Sequence, residues 1–189
     1  PLAMPARMAA ATVAGGVFKP GDDVVVLPSG LTTTIASIDT ADGPVDEAFN
    51  PMSVTIRLSD ELDVSRGDMI CRPANQPRVT QDIDAMIAWM ADTSTLREGA
   101  MYSIKHTTRT ARAKVRDVKY RLDINTLHRD ETASGLTTNE IGRVTLRTTA
   151  PLFVDEYRRN RTTGSFILVD EDTNATVGAG MVLGEAQQV

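Results

Sequence analysis

Apolar and polar residues alternate along most of this chain with a period of two. Val54, Ile56 and Leu58, for example, are separated by Thr55 and Arg57. Alternation of this kind, in segments rich in Val, Ile and Thr, is typical of short strands that bury one face. The pattern therefore predicts an all-β protein.

Turn-forming residues separate the predicted strands and divide the chain in two. A Pro-Gly-Asp-Asp sequence at residues 20–23 and a Pro-Ser-Gly sequence at residues 28–30 flank an apolar segment, which predicts a hairpin. Residues 73–78 include Pro73 and Pro77 and show no apolar periodicity, as is typical of a linker. We predict the following organisation: a first β-barrel over residues 1–72, a linker over 73–78, a second β-barrel over 79–184 and a tail over 185–189.

The second part opens with a strand in which Ile83, Ala85, Ile87 and Trp89 share one face. We therefore expect Trp89 to belong to a core rather than to stack on a ligand. In the segment 111–122, apolar residues occupy odd positions up to 115 and even positions from 118 onward. A slip of one residue predicts a β-bulge near residues 116–117, with the apolar face of both halves pointing inward.

The pattern of the C-terminal region predicts a closing hairpin. Phe166 and Leu168 alternate with more polar positions, residues 171–174 have turn chemistry, and Val177 opens the return strand. The one place where we expect a helical turn is residues 155–160.

Charge is distributed unevenly over the chain. The 189 residues have a formal net charge of −5, with 6 Lys and Arg against 10 Asp and Glu in residues 1–78, and 14 against 14 in residues 79–184. This charge distribution argues against a surface that binds nucleic acid over its whole area, but it permits a local basic face.

The compartment is suggested by what the sequence lacks. Cys71 is the only cysteine, so no internal disulfide forms, and its apolar context predicts a buried, inert thiol. No segment approaches the roughly 18 apolar residues of a membrane helix. Residues 1–14 lack the charged start and apolar centre of a signal peptide. We expect a soluble, cytoplasmic protein.

The reactive side chains of the sequence form no recognisable catalytic arrangement. No glycine-rich loop ends in Gly-Lys-Ser or Gly-Lys-Thr, so we predict that this chain does not itself hold or hydrolyse GTP. Cys71, His106 and His128 lack the clustering of a zinc site. We interpret His106 as a polar residue at a strand end rather than as an acid-base group. We therefore predict no catalytic, cofactor-binding or metal-binding residues in this chain.

One strand stands out by its charge. Seven basic residues and one acidic residue lie between Lys105 and Arg121. Two interpretations stay open: a solvated outer wall balanced by acids on neighbouring strands, or a docking face for an acidic partner surface or a nucleic-acid backbone. The candidate docking residues are Lys105, Arg109, Arg112, Lys114 and Arg116.

Several segments of the sequence resemble the GTPase subunit of bacterial sulfate adenylyltransferase, a relative of elongation factor Tu. The resemblance covers most of the chain and is carried by residues 19–30, 65–68, 105–110, 120–127, 139–144, 160–170 and 173–181. It implies two consecutive β-barrels like the second and third domains of elongation-factor-like GTPases. Residues 1–10, however, are rich in Ala and Met, whereas the first strand of that family is rich in arginine and aromatic residues. Either these residues do not belong to the first barrel, or the barrel has lost or replaced its first strand.

The resemblance also implies a function and partners. The parent subunit would couple GTP hydrolysis, with Mg²⁺, to synthesis of adenosine 5′-phosphosulfate from ATP and sulfate, and a smaller subunit would transfer the adenylyl group. This chain would be a non-catalytic scaffold and docking fragment that contacts an absent N-terminal GTPase domain and that small subunit. In some members an adenylylsulfate kinase follows the third domain, and whether one follows here stays open.

Two other functions stay open. The basic strand and the shared barrel phrases would also fit the tRNA-binding barrels of a translation elongation factor, although the balanced charge of residues 79–184 argues against it. A free-standing enzyme is the third possibility, and no constellation of residues favours it.

Overall fold

A computed structural model describes residues 8–186 of the chain, and every regular element in that range is a β-strand. The all-β fold class is therefore confirmed. The chain divides into two compact units, one ending at Pro77 and the other beginning at Arg78.

From residue 8 to residue 77, the first unit contains eight strands. Their bounds are β1 (Met8–Thr12), β2 (Val17–Phe18), β3 (Asp23–Leu27), β4 (Leu31–Thr40), β5 (Gly43–Pro44), β6 (Ala48–Phe49), β7 (Ser53–Leu58) and β8 (Met69–Cys71). The main sheet has the order β1-β7-β4-β3-β8, β5 pairs with β4, and β2 pairs with β6 as a separate ribbon. The predicted hairpin is β3 and β4, and Val54, Ile56 and Leu58 of β7 are buried as expected.

Strand β1 includes the last part of residues 1–10, where the sequence departs from the family pattern. From Met8 onward the chain pairs antiparallel with β7, so this part is a strand of the main sheet despite its Ala-rich composition. Residues 1–7 lie outside the described part of the chain.

The described part of the second unit, residues 78–186, contains nine strands. Their bounds are β9 (Arg78–Trp89), β10 (Leu96–Arg97), β11 (Met101–His106), β12 (Arg109–Leu122), β13 (Arg129–Asp130), β14 (Gly135–Leu136), β15 (Ile141–Val154), β16 (Ser165–Val169) and β17 (Thr176–Glu185). Strands β11-β16-β17-β9-β15-β12 form a sheet that closes on itself because β12 also pairs with β11. Closure gives a six-stranded antiparallel barrel.

The barrel core contains the residues that the period-two pattern placed there. Trp89 is fully buried, packs edge-on against Tyr102 at 5.3 Å between ring centroids, and donates from its indole N–H to the Ser94 carbonyl at 2.8 Å. The prediction of Trp89 as a core residue is confirmed. The closing hairpin is β16 and β17, with the turn between Val169 and Thr176.

Strand β12 carries the predicted bulge and a second irregularity. Its register against β15 shifts between Val115 and Asp117, which confirms the bulge, and shifts again between Val118 and Tyr120. Because of the second shift, Tyr120 pairs with Arg143 on the outer face, although the alternation predicted it inside. Its hydroxyl lies 3.8 Å from the Met86 sulfur.

The predicted helical turn at residues 155–160 is present as a single turn that does not extend into a helix. The amides of Arg159 and Asn160 both donate to the Glu156 carbonyl, at 2.8 and 3.0 Å, and the chain goes no further in that conformation. Tyr157 instead donates its amide to the Val182 carbonyl of β17 at 2.9 Å. This bond to the barrel holds the segment as an isolated turn.

Candidate partner-docking face

Strands β11 and β12 present a basic outer surface. Ala111, Ala113 and Val115 of β12 point into the barrel and are buried, so the residues between them point out. On β11, Lys105 has the outward parity and is exposed. We use the name basic face for four outward basic residues of these two strands: Lys105, Arg112, Lys114 and Arg116.

The positive charge of Arg112 is balanced by a carboxylate of the same barrel. Its guanidinium donates to both carboxylate oxygens of Glu171, at 2.7 Å each, in a bidentate pair that raises the pKa of Arg112. Glu171 lies in the turn between β16 and β17, and it reaches β12 because β16 pairs with β11. Sequence reasoning missed this partner because 59 residues separate the two side chains.

Arg109, the fifth candidate, does not join the basic face. It has the inward parity of Ala111, and its guanidinium lies over the ring of buried Phe153 at 4.9 Å from the centroid. Arg109 is thus engaged in a cation–π contact at the β11–β12 hairpin.

Acids on neighbouring strands neutralise most of the other outward cations. Arg143 and Arg147 of β15 contact Asp84 and Asp82 of β9, and Lys119 lies 3.8 Å from Asp84. The Asp84 side chain is only 7% exposed, so its ion pair with Arg143 on the barrel wall is well shielded from solvent. This part of the wall fits the first interpretation, in which neighbouring acids balance the basic strand.

Arg121, at the far end of β12, is also paired. It donates to Glu140 at 2.6 Å and to Asp130 at 2.9 Å. Within residues 8–186, the outward cations of β11 and β12 for which the structure shows no ion pair are Lys105, Lys114 and Arg116. The exposed carboxylate of Asp117 is their acidic neighbour along β12.

His106 is the buried titratable group next to this face. It is 1% exposed, and its Nε2 lies 2.7 Å from the Thr163 carbonyl, to which it donates in the neutral form. Burial lowers the pKa of His106, although the Thr163 carbonyl and Asp155 oppose the shift. Burial and the bond to Thr163 thus tie the imidazole into the packed interior of the second unit.

Cys71 is buried in the first unit, with its thiol 3.7 Å from the Val25 carbonyl. Burial raises the pKa of Cys71 to about 11, so the thiol stays protonated at neutral pH. In the described part of the chain, no group of three or more His, Cys, Asp or Glu residues is placed to hold a metal ion. Nor does any helix in residues 8–186 have the length and apolarity needed to cross a bilayer.

Comparison with known proteins identifies relatives over nearly the whole chain. It is 61% identical over 177 residues to "Bifunctional enzyme CysN/CysC" of Mycobacterium tuberculosis (strain ATCC 25618 / H37Rv), an alignment covering 94% of this chain and 29% of that protein. It is 42% identical over 176 residues to "Sulfate adenylyltransferase subunit 1" of Bacteroides fragilis (strain YCH46), covering 93% of this chain and 37% of that protein. The chain thus spans about a third of the length of these relatives. The resemblance seen in the sequence is confirmed.

A solved structure shares the fold. The crystal structure of Sup35 complexed with GDP superposes with a TM-score of 0.84 at 22% identity, covering 95% of this chain and 44% of that one. In addition, the profile of the GTP-eEF1A C-terminal domain-like family matches residues 82–183, which is the closed barrel of the second unit. The chain therefore belongs to the GTP-eEF1A C-terminal domain-like family, and its sequence is similar to sulfate adenylyltransferase subunit 1 and to the bifunctional CysN/CysC enzymes.

Proposed function

We propose that this chain is a non-catalytic scaffold and docking part of the GTP-dependent subunit of a sulfate adenylyltransferase. The similarity to sulfate adenylyltransferase subunit 1 supports the parentage. The observation that carries the docking role is the basic face, on which Lys105, Lys114 and Arg116 lack the acidic partners that their neighbours have within residues 8–186. An acidic surface on another protein would supply those partners.

The parent protein would act in sulfate activation in the cytoplasm. Its GTPase domain, located outside this chain, would hold GTP and Mg²⁺, and the adenylyl-transferring small subunit would use ATP and sulfate to make adenosine 5′-phosphosulfate. The contribution of this chain would be to hold those parts together. The absence of a phosphate-binding loop from its sequence supports this division of labour.

Charge reversal tests the docking role. The double variant Lys114→Glu/Arg116→Glu should bind the small subunit more weakly than the wild type in calorimetric titrations at low salt. Exposed pairs contribute about 0.2 to 1 kcal/mol each, so the loss should be about 2- to 30-fold. It should shrink at 1 M salt, where the screening length falls to about 3 Å.

The chain offers a matched control. Arg158 and Arg161 are exposed in the turns before β16, and Arg158→Glu/Arg161→Glu makes the same change in net charge. Equal weakening by both variants would show a general charge effect and refute docking at the basic face. Tighter binding of the wild type to tRNA than to the small subunit would favour the elongation-factor alternative instead.

A nucleotide titration tests the assignment of GTP to a segment outside this chain. We expect no saturable heat when GTP and Mg²⁺ are titrated into the chain at micromolar concentration, because the sequence lacks the loop and lysine that neutralise the phosphates. Saturable micromolar binding would contradict the proposal that this chain has no part in holding the nucleotide.

A further inference from the structure

Three neighbouring strands of the second unit, β16, β17 and β9, carry apolar side chains on the outer side of the barrel. The inward residues of these strands belong to the core, so the residues between them point out. Six of these outward residues lie side by side, and each is half-buried or exposed. We call them the three-strand wall: Ser165 and Ile167 of β16, Ala179 and Met181 of β17, and Met86 and Ala88 of β9.

The ladder aligns the three-strand wall in two rows. Across the strands, the first row is Ser165, Met181 and Met86. The second row is Ile167, Ala179 and Ala88. The register is regular over these residues, and the nearest shifts follow Leu168 and Val182. Backbone pairing therefore fixes which outward side chains are neighbours.

Each strand of the wall presents one large and one small outward side chain. On β17 and β9 the first row holds a methionine and the second row an alanine, whereas on β16 the first row holds a serine and the second an isoleucine. Large and small side chains that face each other across a contact can interdigitate. The three-strand wall therefore has a relief that can fit its own copy.

A two-fold axis that runs across the strands, midway between the rows, gives this fit. Such an axis places the first row of one copy over the second row of the other, and each strand over the same strand of its copy. The facing pairs are Met181 with Ala179, Met86 with Ala88 and Ile167 with Ser165, each formed twice. Every pair joins a large side chain to a small one, as two sheets packed about 10 Å apart require.

Charges at the two edges of the wall affect this contact differently. At the β15 edge, Arg143 continues the first row next to Met86, and its guanidinium is paired with Asp84. At the opposite edge, Lys105 of β11 continues the second row next to Ile167 and has no ion pair within residues 8–186. The axis brings Lys105 of both copies to this edge, so their repulsion weakens the contact at low salt and is screened at high salt.

The size of the surface sets the strength of the contact. Ile141 of β15 and Leu122 of β12 extend the second row beyond Ala88, and both are half-buried. Five strands at about 4.8 Å, with outward positions over about 20 Å of their length, give roughly 500 Å² per copy. Specific interfaces commonly bury about 800 Å² per partner, so we expect a weak dimer with a Kd on the order of 10 to 100 µM.

We propose that the three-strand wall binds a second copy of this chain about this two-fold axis. The methionines of the first row are flexible enough to fill the space above the alanines of the copy. The three-strand wall shares no residue with the basic face. The self-contact therefore goes beyond the proposed function and does not depend on it.

Sedimentation equilibrium of the full chain tests the self-contact. Between about 5 and 500 µM, the average mass should rise from 20.4 kDa toward twice that value. Self-association should be stronger at 1 M salt, where the screening length is about 3 Å, than at low salt. This dependence is opposite to the one expected for docking at the basic face.

A single variant and a swapped variant test the fit of large on small side chains. Ala179→Met would set a methionine against Met181 of the second copy, so it should weaken self-association about 10-fold or more. Ala179→Met/Met181→Ala exchanges the two sizes on β17 and restores the fit, so it should associate within about 3-fold of wild type. Ala10→Met makes the same substitution at an exposed position of β1 and should leave self-association unchanged.

Three results would overturn the proposal. They are a wild type that stays at 20.4 kDa up to about 500 µM, self-association that Ala179→Met leaves unchanged, and a swapped variant as weak as the single one. Urea midpoints of Trp89 fluorescence should agree among the variants. A lowered midpoint on β17 would move the test to β9, where Ala88→Met and Met86→Ala/Ala88→Met make the same comparison. Binding at the basic face is measured separately, so the proposed function survives each of these results.

Discussion

Gly180 of β17 lies directly across the ladder from Phe166 of β16, and the phenyl ring covers it inside the barrel. A Cβ built on Gly180 would overlap three atoms of that ring. We predict that Gly180→Ala destabilises the second unit, because the 4% exposed Phe166 has little room in which to move.

The magnitude follows from two opposing effects. Forcing an extra carbon into a packed core costs about 1 to 3 kcal/mol. Replacing glycine by alanine also restricts the unfolded chain, which returns about 0.4 to 1 kcal/mol where the backbone permits the change. Because the added carbon would lie within 2.6 Å of three ring atoms, the cost should fall in the upper half of its range, and the expected net loss in the free energy of unfolding is about 1 to 2.5 kcal/mol.

The assay can be confined to the barrel in question. Trp89 is the only tryptophan of the chain and lies in the core of the second unit, so its fluorescence reports the unfolding of that unit. With a urea m-value of about 1 to 3 kcal/mol/M, the midpoint should fall by roughly 1 M. Ala179→Ser adds one atom on the outer side of the same strand and should stay within about 0.5 kcal/mol of wild type.

A double-mutant cycle identifies the clash itself. In a Phe166→Leu background the smaller side chain makes room, so Gly180→Ala should cost less there, with a coupling energy of about 1 kcal/mol. A midpoint unchanged by Gly180→Ala, or a cost that is the same in both backgrounds, would refute the argument that the ring excludes a side chain at this position.

Two further predictions concern buried titratable groups. Because burial lowers the pKa of His106 below its usual 6.5, the unfolded chain binds a proton first as the pH falls, so the stability of the second unit should drop between pH 6.5 and the folded-state pKa. In urea titrations at pH 7.5 and 5.5, His106→Gln, whose amide can still donate to the Thr163 carbonyl, should show a smaller drop than wild type, and equal drops would contradict the assignment. Cys71, with a pKa of about 11, should react slowly with a thiol-specific disulfide reagent in the folded chain and rapidly in urea; equal absorbance-monitored rates would show that the thiol is accessible.

The strands were predictable because their period is local. Alternation placed Trp89 in the core and located the bulge near Arg116, since both depend only on neighbouring residues. It failed at Tyr120, because the second register shift is visible only in the pairing of β12 with β15. The single turn at residues 155–160 was predictable because its bonds to Glu156 are local, whereas its tertiary bond to Val182 was not.

The sequence predicted which basic residues lie on the candidate docking face, but not which of their charges are balanced by acidic partners. The alternation identified Lys114 and Arg116 as outward residues, and both are exposed. It did not show that Glu171 neutralises Arg112 or that Arg109 lies on Phe153, because these partners come from distant parts of the chain. The sequence pattern did not indicate the three-strand wall either, because its rows are aligned by pairing between strands that are distant in the sequence.

The two register shifts of β12 also limit how its length can change. Each shift inserts one residue relative to β15, one between Val115 and Asp117 and one between Val118 and Tyr120, so together they restore the original alternation. Deletion of one of these extra residues would remove its bulge and leave the segments on both sides with their present inward and outward faces. Deletion of a residue outside the two bulges would instead turn outward charges of the neighbouring segment toward the interior of the barrel, so viable natural variation in the length of this strand should occur at the bulges.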